Sequence, residues 1–404
     1  MISPSSSPSD APVHVLFCAH STEVSGAEIS LLALLSSLDS RRFSVALACP
    51  PGQLAARATR AGIAVVSLPI FRAGYASSVA AKLWSAVTLL AAQLALLRVC
   101  ARFRPAILHA NSLQAGLIAT PARVVLKVPL VVHVRDVLGP GTIGALLRLL
   151  LVLVADRVIA ISQFIRSDLL AERRLCSRTL VVYNGVDQQA FDPNANQDDG
   201  ARAQLGLSRA EPLLGIFGQI TPWKGQLDAI EALPLILAEY PNGKLLIVGS
   251  AKFLSHAARY DNAAYLAHLQ RRVESLGLTD HVVFAGERDD VPALMRLCDV
   301  ILVPSWAEPF GRVTIEAMAM AKPVIATAGG GSPELVTPGG TGLLVPPRDS
   351  GSIAAAVLEL AVDPGRRHRM GAAGRMRALT AFTIQQHAAA IEGLYHSLLG
   401  ADPG

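Results

Sequence analysis

PSWAEPFGRVTIEAMAMAKPVIATAGGG, residues 304–331, is the stretch from which the fold is read. Glu308 and Glu316 stand in it with seven residues between them, but not on one helix. Pro309 and Gly311 break the chain after Glu308, and a helical pattern then starts, with apolar positions at Val313, Ile315, Ala317, Met318 and Met320. Pro323 stops it, and PVIAT reads as a buried strand ending in the glycine run 329–331. Glu308 therefore belongs to a loop and Glu316 to the early turns of a helix. Free amides and the dipole at a helix start favour an anion such as phosphate. A carboxylate beside such a site would repel the anion and suits sugar or ribose hydroxyls instead. Phosphate on amides and hydroxyls on carboxylates describes a nucleotide-sugar; the plainer reading is a helix with an acidic start.

Outward from this stretch the same alternation repeats. VHVLFCAH (13–20), FSVALACP, AVVSLPI, ILHAN (107–111), VPLVVHVRD (128–136), RVIAIS (157–162) and TLVVYNGVD (179–187) read as buried strands with helices or loops between them. DPNANQDDG (192–200) has the composition of a linker. Strands resume at LLGIFG (213–218), KLLIVGS (244–250), HVVFAG (281–286), VILVPS (300–305), PVIAT and TGLLVPP (341–347). The expected class is α/β, with two doubly wound lobes facing a cleft where ligands sit beyond the carboxyl ends of the strands.

A chain of 404 residues is long for one core and suits two domains. MISPSSSPSDAP (1–12) lacks the basic start and apolar core of a secretory signal and reads as a disordered tail. Hydrophobic content is 51% and mean hydropathy +0.42, high enough to raise membrane contact. The longest charge-free apolar run, Leu83 to Leu97, is short of a spanning length, so 78–104 is read as a buried helix first and an interfacial one second. Leu149 to Ala155 is read in the same way. Through Asp187 there are 18 Lys/Arg against 9 Asp/Glu, and beyond it 18 against 22. A basic first half fits an anionic surface or phosphate-bearing acceptor. Basic runs interleaved with aromatics are missing, which argues against nucleic acid. Cys18, Cys49, Cys100, Cys176 and Cys298 are scattered and odd in number, as expected of buried thiols in a reducing cytoplasm.

Single motifs are weak. The loop Val24 to Glu28 offers Gly26 for close approach to a phosphate, without a full dinucleotide fingerprint. Lys224, at a helix start in GQITPWKG, is placed to reach a diphosphate or is simply solvated. His133, ending a strand, is either a structural histidine or one that faces the cleft and an acceptor hydroxyl. Arg135 and Asp136 would pair with each other; His109 and Asn111 are lesser candidates. Neither a metal-ligand motif nor a nucleophile elbow is found.

Taken together and in order, IFGQITPWKG, IVGS, VVFAGERDDVPALMRLCDVILVPSWAEPFGRVTIEAMAMAKPVIATAGGGSPELV and TGLLVPP resemble the retaining glycosyltransferases of family four, whose fold is GT-B with two Rossmann-like lobes. The resemblance runs nearly end to end. It implies an N-terminal acceptor domain over 13–192, a C-terminal nucleotide-sugar donor domain over 205–382, and a last helix, 383–400, crossing back to the first lobe. By the same resemblance Glu316 holds ribose hydroxyls and Glu308 those of the transferred sugar. Backbone at Phe310, Gly311, Arg312 and Val313 cradles the diphosphate and sugar, and Lys224 neutralises the departing diphosphate. Backbone near Gly286, Glu287 and Arg288 holds the base, Gly26 approaches the phosphates, and His133 faces the reacting sugar and acceptor. Two departures stand out. Gln219 replaces an arginine usual beside the lysine, and Ser25 replaces the first of two glycines.

The implied reaction is a metal-independent, retaining transfer of a sugar from a nucleoside diphosphate to an acceptor hydroxyl, with no cofactor. The implied acceptor is a glycan or lipid-linked molecule of surface polysaccharide or glycolipid synthesis. The implied place is the cytoplasm, peripheral on the inner face of an anionic membrane. The alternatives on the same scaffold are a nucleotide-sugar epimerase and a non-catalytic nucleotide-sugar binder.

Overall fold

The strand runs expected from the sequence form two wholly parallel sheets in a computed structural model that describes residues 11–71, 79–195, 200–207, 210–252 and 260–400. The first sheet holds β1 (Val13–Cys18), β2 (Phe43–Cys49), β3 (Ala64–Ser67), β4 (Ile107–Ala110), β5 (Leu130–Val134), β6 (Arg157–Ala160) and β7 (Thr179–Val181), in the order β3-β2-β1-β4-β5-β6-β7. The second holds β8 (Leu213–Phe217), β9 (Lys244–Val248), β10 (Val282–Gly286), β11 (Val300–Val303), β12 (Val324–Thr327) and β13 (Gly342–Val345), in the order β10-β9-β8-β11-β12-β13. Each order reverses next to the first strand of its lobe, leaving a crevice at the strand ends. Most of the tail read over 1–12 and the centre of the linker at 196–199 lie outside the described residues.

Both faces of each sheet are covered, which is why the strands are continuously apolar. On β1, Val15 and Phe17 pack with the helices Gly26–Ser37 and Gln53–Arg60, while Leu16 and Cys18 point to the opposite face. That opposite face carries the helices Val79–Phe103, Leu113–Leu126 and Thr142–Val154. Cys18, Cys49, Cys100 and Cys298 are buried, whereas Cys176 is exposed.

The last helix, Ile384–Leu399, packs on the first lobe: Ala388, Ile391, Leu394 and Tyr395 join the core around Val15 and Phe17. Its entry is pinned by main-chain bonds between Val186 and both Phe382 and Ile384. Gly185 permits that crossing, since a Cβ there would lie 2.4 Å from the Ile384 Cα.

One expectation is overturned. The 25-residue helix Val79–Phe103 is buried only along one stripe, at Ala92, Leu96 and Cys100, while Leu83, Trp84, Val87 and Leu90 are each more than half exposed. It is long and apolar enough to cross a membrane by length and composition, yet little of its apolar surface is covered by protein. The helix carrying Leu149 also exposes Ile143, Leu146 and Leu153.

Candidate active site

Glu308 sits in the loop after β11, and the loop's shape comes from the backbone beneath it. Residues 329–331 pass so close that a Cβ on Gly330, whose φ is +70°, would lie 2.1 Å from the Glu308 carbonyl oxygen. The amide of Gly331 donates to that carbonyl at 2.7 Å. The glycine run is thus the bed on which the acidic loop lies. Beyond Gly311, whose φ is +107°, the helix Arg312–Ala319 begins and places Glu316 one turn in.

Both carboxylates are nearly buried, at 7% exposure each, and each has its own cation. Lys224 Nζ lies 2.7 Å from Glu308 Oε2, and Arg312 Nη2 lies 2.5 Å from Glu316 Oε1. Lys224 ends the short 3-10 turn Pro222–Lys224, which is held to the acidic loop by the Trp306 amide donating to the Trp223 carbonyl at 2.8 Å.

The first lobe closes over this group. Arg312 Nη1 donates to the Gly26 carbonyl at 3.0 Å, and Ser162 Oγ to the Pro309 carbonyl at 2.6 Å. Glu334 accepts from the amides of Gln163 and Phe164 at 2.7 and 2.8 Å, capping a first-lobe helix from the second lobe. Lys252 Nζ bridges the Val24 carbonyl and Glu287, both at 2.8 Å. Ser25 closes its loop differently from a glycine: its amide and hydroxyl both donate to the Glu28 carboxylate, at 3.0 and 2.6 Å.

The remaining sequence candidates fall as follows. Gln219 follows β8, half-buried, with its carbonyl accepting from Gln226 at 2.9 Å. Phe310 is buried, its ring 5.8 Å from that of Tyr183 across the lobes, and Val313 packs against the same core. Gly286 has a φ of +68°, and its carbonyl accepts from the Gly249 amide at 2.8 Å. The Arg288 side chain is taken up by Asp290, at 2.8 and 2.6 Å, and lines a groove between 287–289 and the first-lobe helix Gln53–Arg60.

His133 does not face the gap. It is fully buried among His109, His387 and Arg135, its Nε2 without a partner, so it cannot touch a ligand in the cleft. Both faces of β5 are covered, so a residue inside the strand points into the core, whereas Asp136, two residues past its end, is exposed. Arg135 bonds Asn111 Oδ1 at 2.8 Å and Asn184 Oδ1 at 3.0 Å, where pairing with Asp136 was expected. Asp136 is open to the gap yet enclosed by both lobes. Burial raises its carboxyl, Glu28 and Glu308 push the same way, and Arg135 and Lys224 oppose. Among the described residues no three His, Cys, Asp or Glu side chains group as metal ligands.

Residues 24–190 match the family profile described as Glycosyltransferase Family 4, and residues 197–377 that described as Glycosyl transferases group 1. The chain belongs to glycosyltransferase family four. The lipopolysaccharide core biosynthesis mannosyltransferase LpsB of Rhizobium meliloti is 31% identical over 221 residues, 54% of this chain and 61% of LpsB. A GDP-mannose-dependent monoacylated alpha-(1-6)-phosphatidylinositol monomannoside mannosyltransferase of Corynebacterium glutamicum is 34% identical over 202 residues, 48% of this chain and 49% of its own. The matches thus span about half to three fifths of these two curated relatives. Among solved structures, Anabaena HepE in complex with UDP and glucose superposes with a TM-score of 0.81 over 95% of this chain and 99% of its own, at 26% identity. The family-four chain therefore has the GT-B architecture: two parallel-sheet α/β lobes, of seven and six strands.

The histidines under the cleft have a measurable consequence. Burial, with Arg135 adding to it, lowers His109 to about 3 and His387 to about 4, and lowers His133 well below the usual imidazole range. As pH falls below about 6.5 the unfolded chain binds protons that the folded chain refuses, so folding stability is lost on acidification through that window. Each such group contributes a slope of about 1.4 kcal/mol per pH unit. Urea midpoints measured between about pH 7 and pH 5 are expected to fall steeply, and less steeply in His387→Gln. A flat profile would show that these rings are not held neutral.

Proposed function

We propose that this family-four chain moves a hexose from a nucleoside diphosphate sugar to an acceptor hydroxyl, with retention at the anomeric carbon and without a metal. The observation that carries the reading is the paired arrangement of Lys224 with Glu308 and Arg312 with Glu316 at the start of a helix that faces Gly26 of the other lobe. In this reading the diphosphate lies against the helix-start backbone from Phe310 to Val313 and against Lys224. Glu316 takes ribose hydroxyls, Glu308 takes hydroxyls of the sugar, and the backbone at Gly286 and Arg288 borders the base.

The bond from the anomeric carbon to the diphosphate oxygen breaks with its electron pair staying on that oxygen, where Lys224 offsets the developing charge. The acceptor oxygen enters on the same face and bonds to the anomeric carbon. Its proton passes to the departing phosphate oxygen. Asp136, rather than His133, is the first-lobe group placed to meet the acceptor hydroxyl. Closure of the lobes excludes water and so limits hydrolysis of the donor.

The acceptor is read as a glycan or lipid-linked molecule at the inner face of the cytoplasmic membrane. Support comes from the first lobe, where Leu83, Trp84, Val87 and Leu90 share a sheet face with Ile143, Leu146, Leu153, Val124 and Val125, all exposed. The three helices of this face, Val79–Phe103, Leu113–Leu126 and Thr142–Val154, carry Lys82, Arg98, Arg102, Arg123 and Arg148 and no Asp or Glu. An apolar face set in positive charge suits an anionic lipid surface better than water.

Incubating the protein with UDP- and GDP-sugars and a membrane lipid extract tests the reaction. The expected product carries the sugar in the donor's anomeric configuration, and Lys224→Ala lowers turnover by roughly 100-fold or more. An altered sugar still on the nucleotide would indicate an epimerase, and binding without transfer or hydrolysis a non-catalytic binder.

Vesicles test the docking face. Sedimentation with anionic but not zwitterionic vesicles is expected, with a blue shift of Trp84 fluorescence and loss of both in Leu83→Glu. No partition onto anionic vesicles would contradict a membrane role for this face.

A further inference from the structure

Arg312 sits where local helix energetics disfavour it. It is the first residue of the helix Arg312–Ala319, next to the positive end of the dipole, where a cation is destabilising. Its partner Glu316 lies four residues later, and a pair with the cation on the N-terminal side is the weaker orientation. A residue chosen only to stabilise this helix would carry the opposite charge.

The side chain is nevertheless held in place, with 20% of it exposed. One guanidinium nitrogen lies 2.5 Å from Glu316 Oε1 and the other donates at 3.0 Å to the carbonyl of Gly26. It therefore spans the space between the second-lobe helix start and the first-lobe glycine loop. A Cβ added to Gly26 would meet only this guanidinium within 4 Å, at 3.9 Å. The missing side chain at position 26 leaves room beside Arg312.

Charge balance gives that room a purpose. In the structure Glu308 and Glu316 are each paired with one cation, Lys224 and Arg312 respectively. A donor whose hydroxyls engage the acids frees both cations at once, and a diphosphate carries more negative charge than one ammonium offsets. Gln219, at the end of β8, is neutral and supplies none. Arg135 is committed to Asn111 and Asn184.

We propose that the Arg312 guanidinium is the second cation for the donor diphosphate, standing across from Lys224 and released from Glu316 when that carboxylate takes up hydroxyls. This deepens the donor-site reading and rests on it. The guanidinium fork suits phosphate oxygens as it suits a carboxylate, so the exchange keeps its hydrogen bonds while changing their acceptor. After the exchange both cations keep a charged acceptor, and the two carboxylates accept hydrogen bonds from hydroxyls in place of their ion pairs.

The test is calorimetric titration of the full chain with UDP and GDP, and with UMP and GMP as controls. In Arg312→Gln, affinity for the diphosphate that binds is expected to fall roughly 10- to 100-fold, and for its monophosphate much less. Arg312→Lys is expected to recover part of the lost discrimination. Equal losses for diphosphate and monophosphate, with a lowered thermal midpoint in the absence of nucleotide, would make Arg312 a structural latch and overturn the proposal. Unchanged diphosphate affinity in Arg312→Gln would overturn it as well, while leaving the donor site standing. If the unaltered protein bound neither diphosphate nor the corresponding sugar nucleotides, the donor-site reading would fall and this inference with it.

Discussion

Charges withdrawn from water must be paired, and the cleft of this protein satisfies that requirement twice within a few residues. Glu308 and Glu316 are both nearly buried, and each is in contact with a cation brought from elsewhere on the second lobe or from the helix start. Removing one member of such a pair leaves the other uncompensated, which costs far more than the pair itself contributes. In the proposed reading, donor binding is an exchange of partners: hydroxyls replace cations on the acids, and phosphate oxygens replace acids on the cations. In the structure these four side chains offset one another as two ion pairs.

Backbone constraints keep those pairs in register. The acidic loop rests on a run of three glycines because a Cβ at Gly329, Gly330 or Gly331 would meet the carbonyl of Trp306, Glu308 or Pro309 at 2.4, 2.1 or 2.9 Å. The lysine turn is tied to the same loop through Trp306 and Trp223, and Trp306 Nε1 is fixed in turn by Asp228 at 2.9 Å. Contacts across the gap, from Arg312, Ser162, Glu334 and Lys252, use main-chain atoms of the opposite lobe. Backbone partners of this kind are indifferent to side-chain identity, so the closing geometry rests on few specific residues.

Much of this was legible in the chain. Period and punctuation gave every strand of both sheets, because parallel strands covered on two faces are short, apolar and bounded by turn residues. The loop and helix positions of Glu308 and Glu316 followed from Pro309 and Gly311. The depth of His133 was not legible: β5 runs to Val134 and is covered on both faces, so His133 lies inside the strand and only residues past its end reach the cleft. The exposed helix Val79–Phe103 was misread because an almost uniformly apolar helix shows little amphipathic contrast, so its sequence does not say whether protein covers it. Arg312 was read for its backbone alone, since nothing local signals that its side chain reaches a carbonyl on the other lobe. The polar cluster of His109, His133, His387 and Arg135 joins residues from distant segments, including the returning C-terminal helix. Only the folded topology brings it together.

The most direct test of partner exchange is a structure of this protein with the preferred nucleoside diphosphate in the gap. The account requires the Lys224–Glu308 and Arg312–Glu316 contacts to part, with phosphate oxygens on both cations and ribose hydroxyls on Glu316. A nucleotide seated elsewhere, or seated here with both ion pairs still closed, would contradict it.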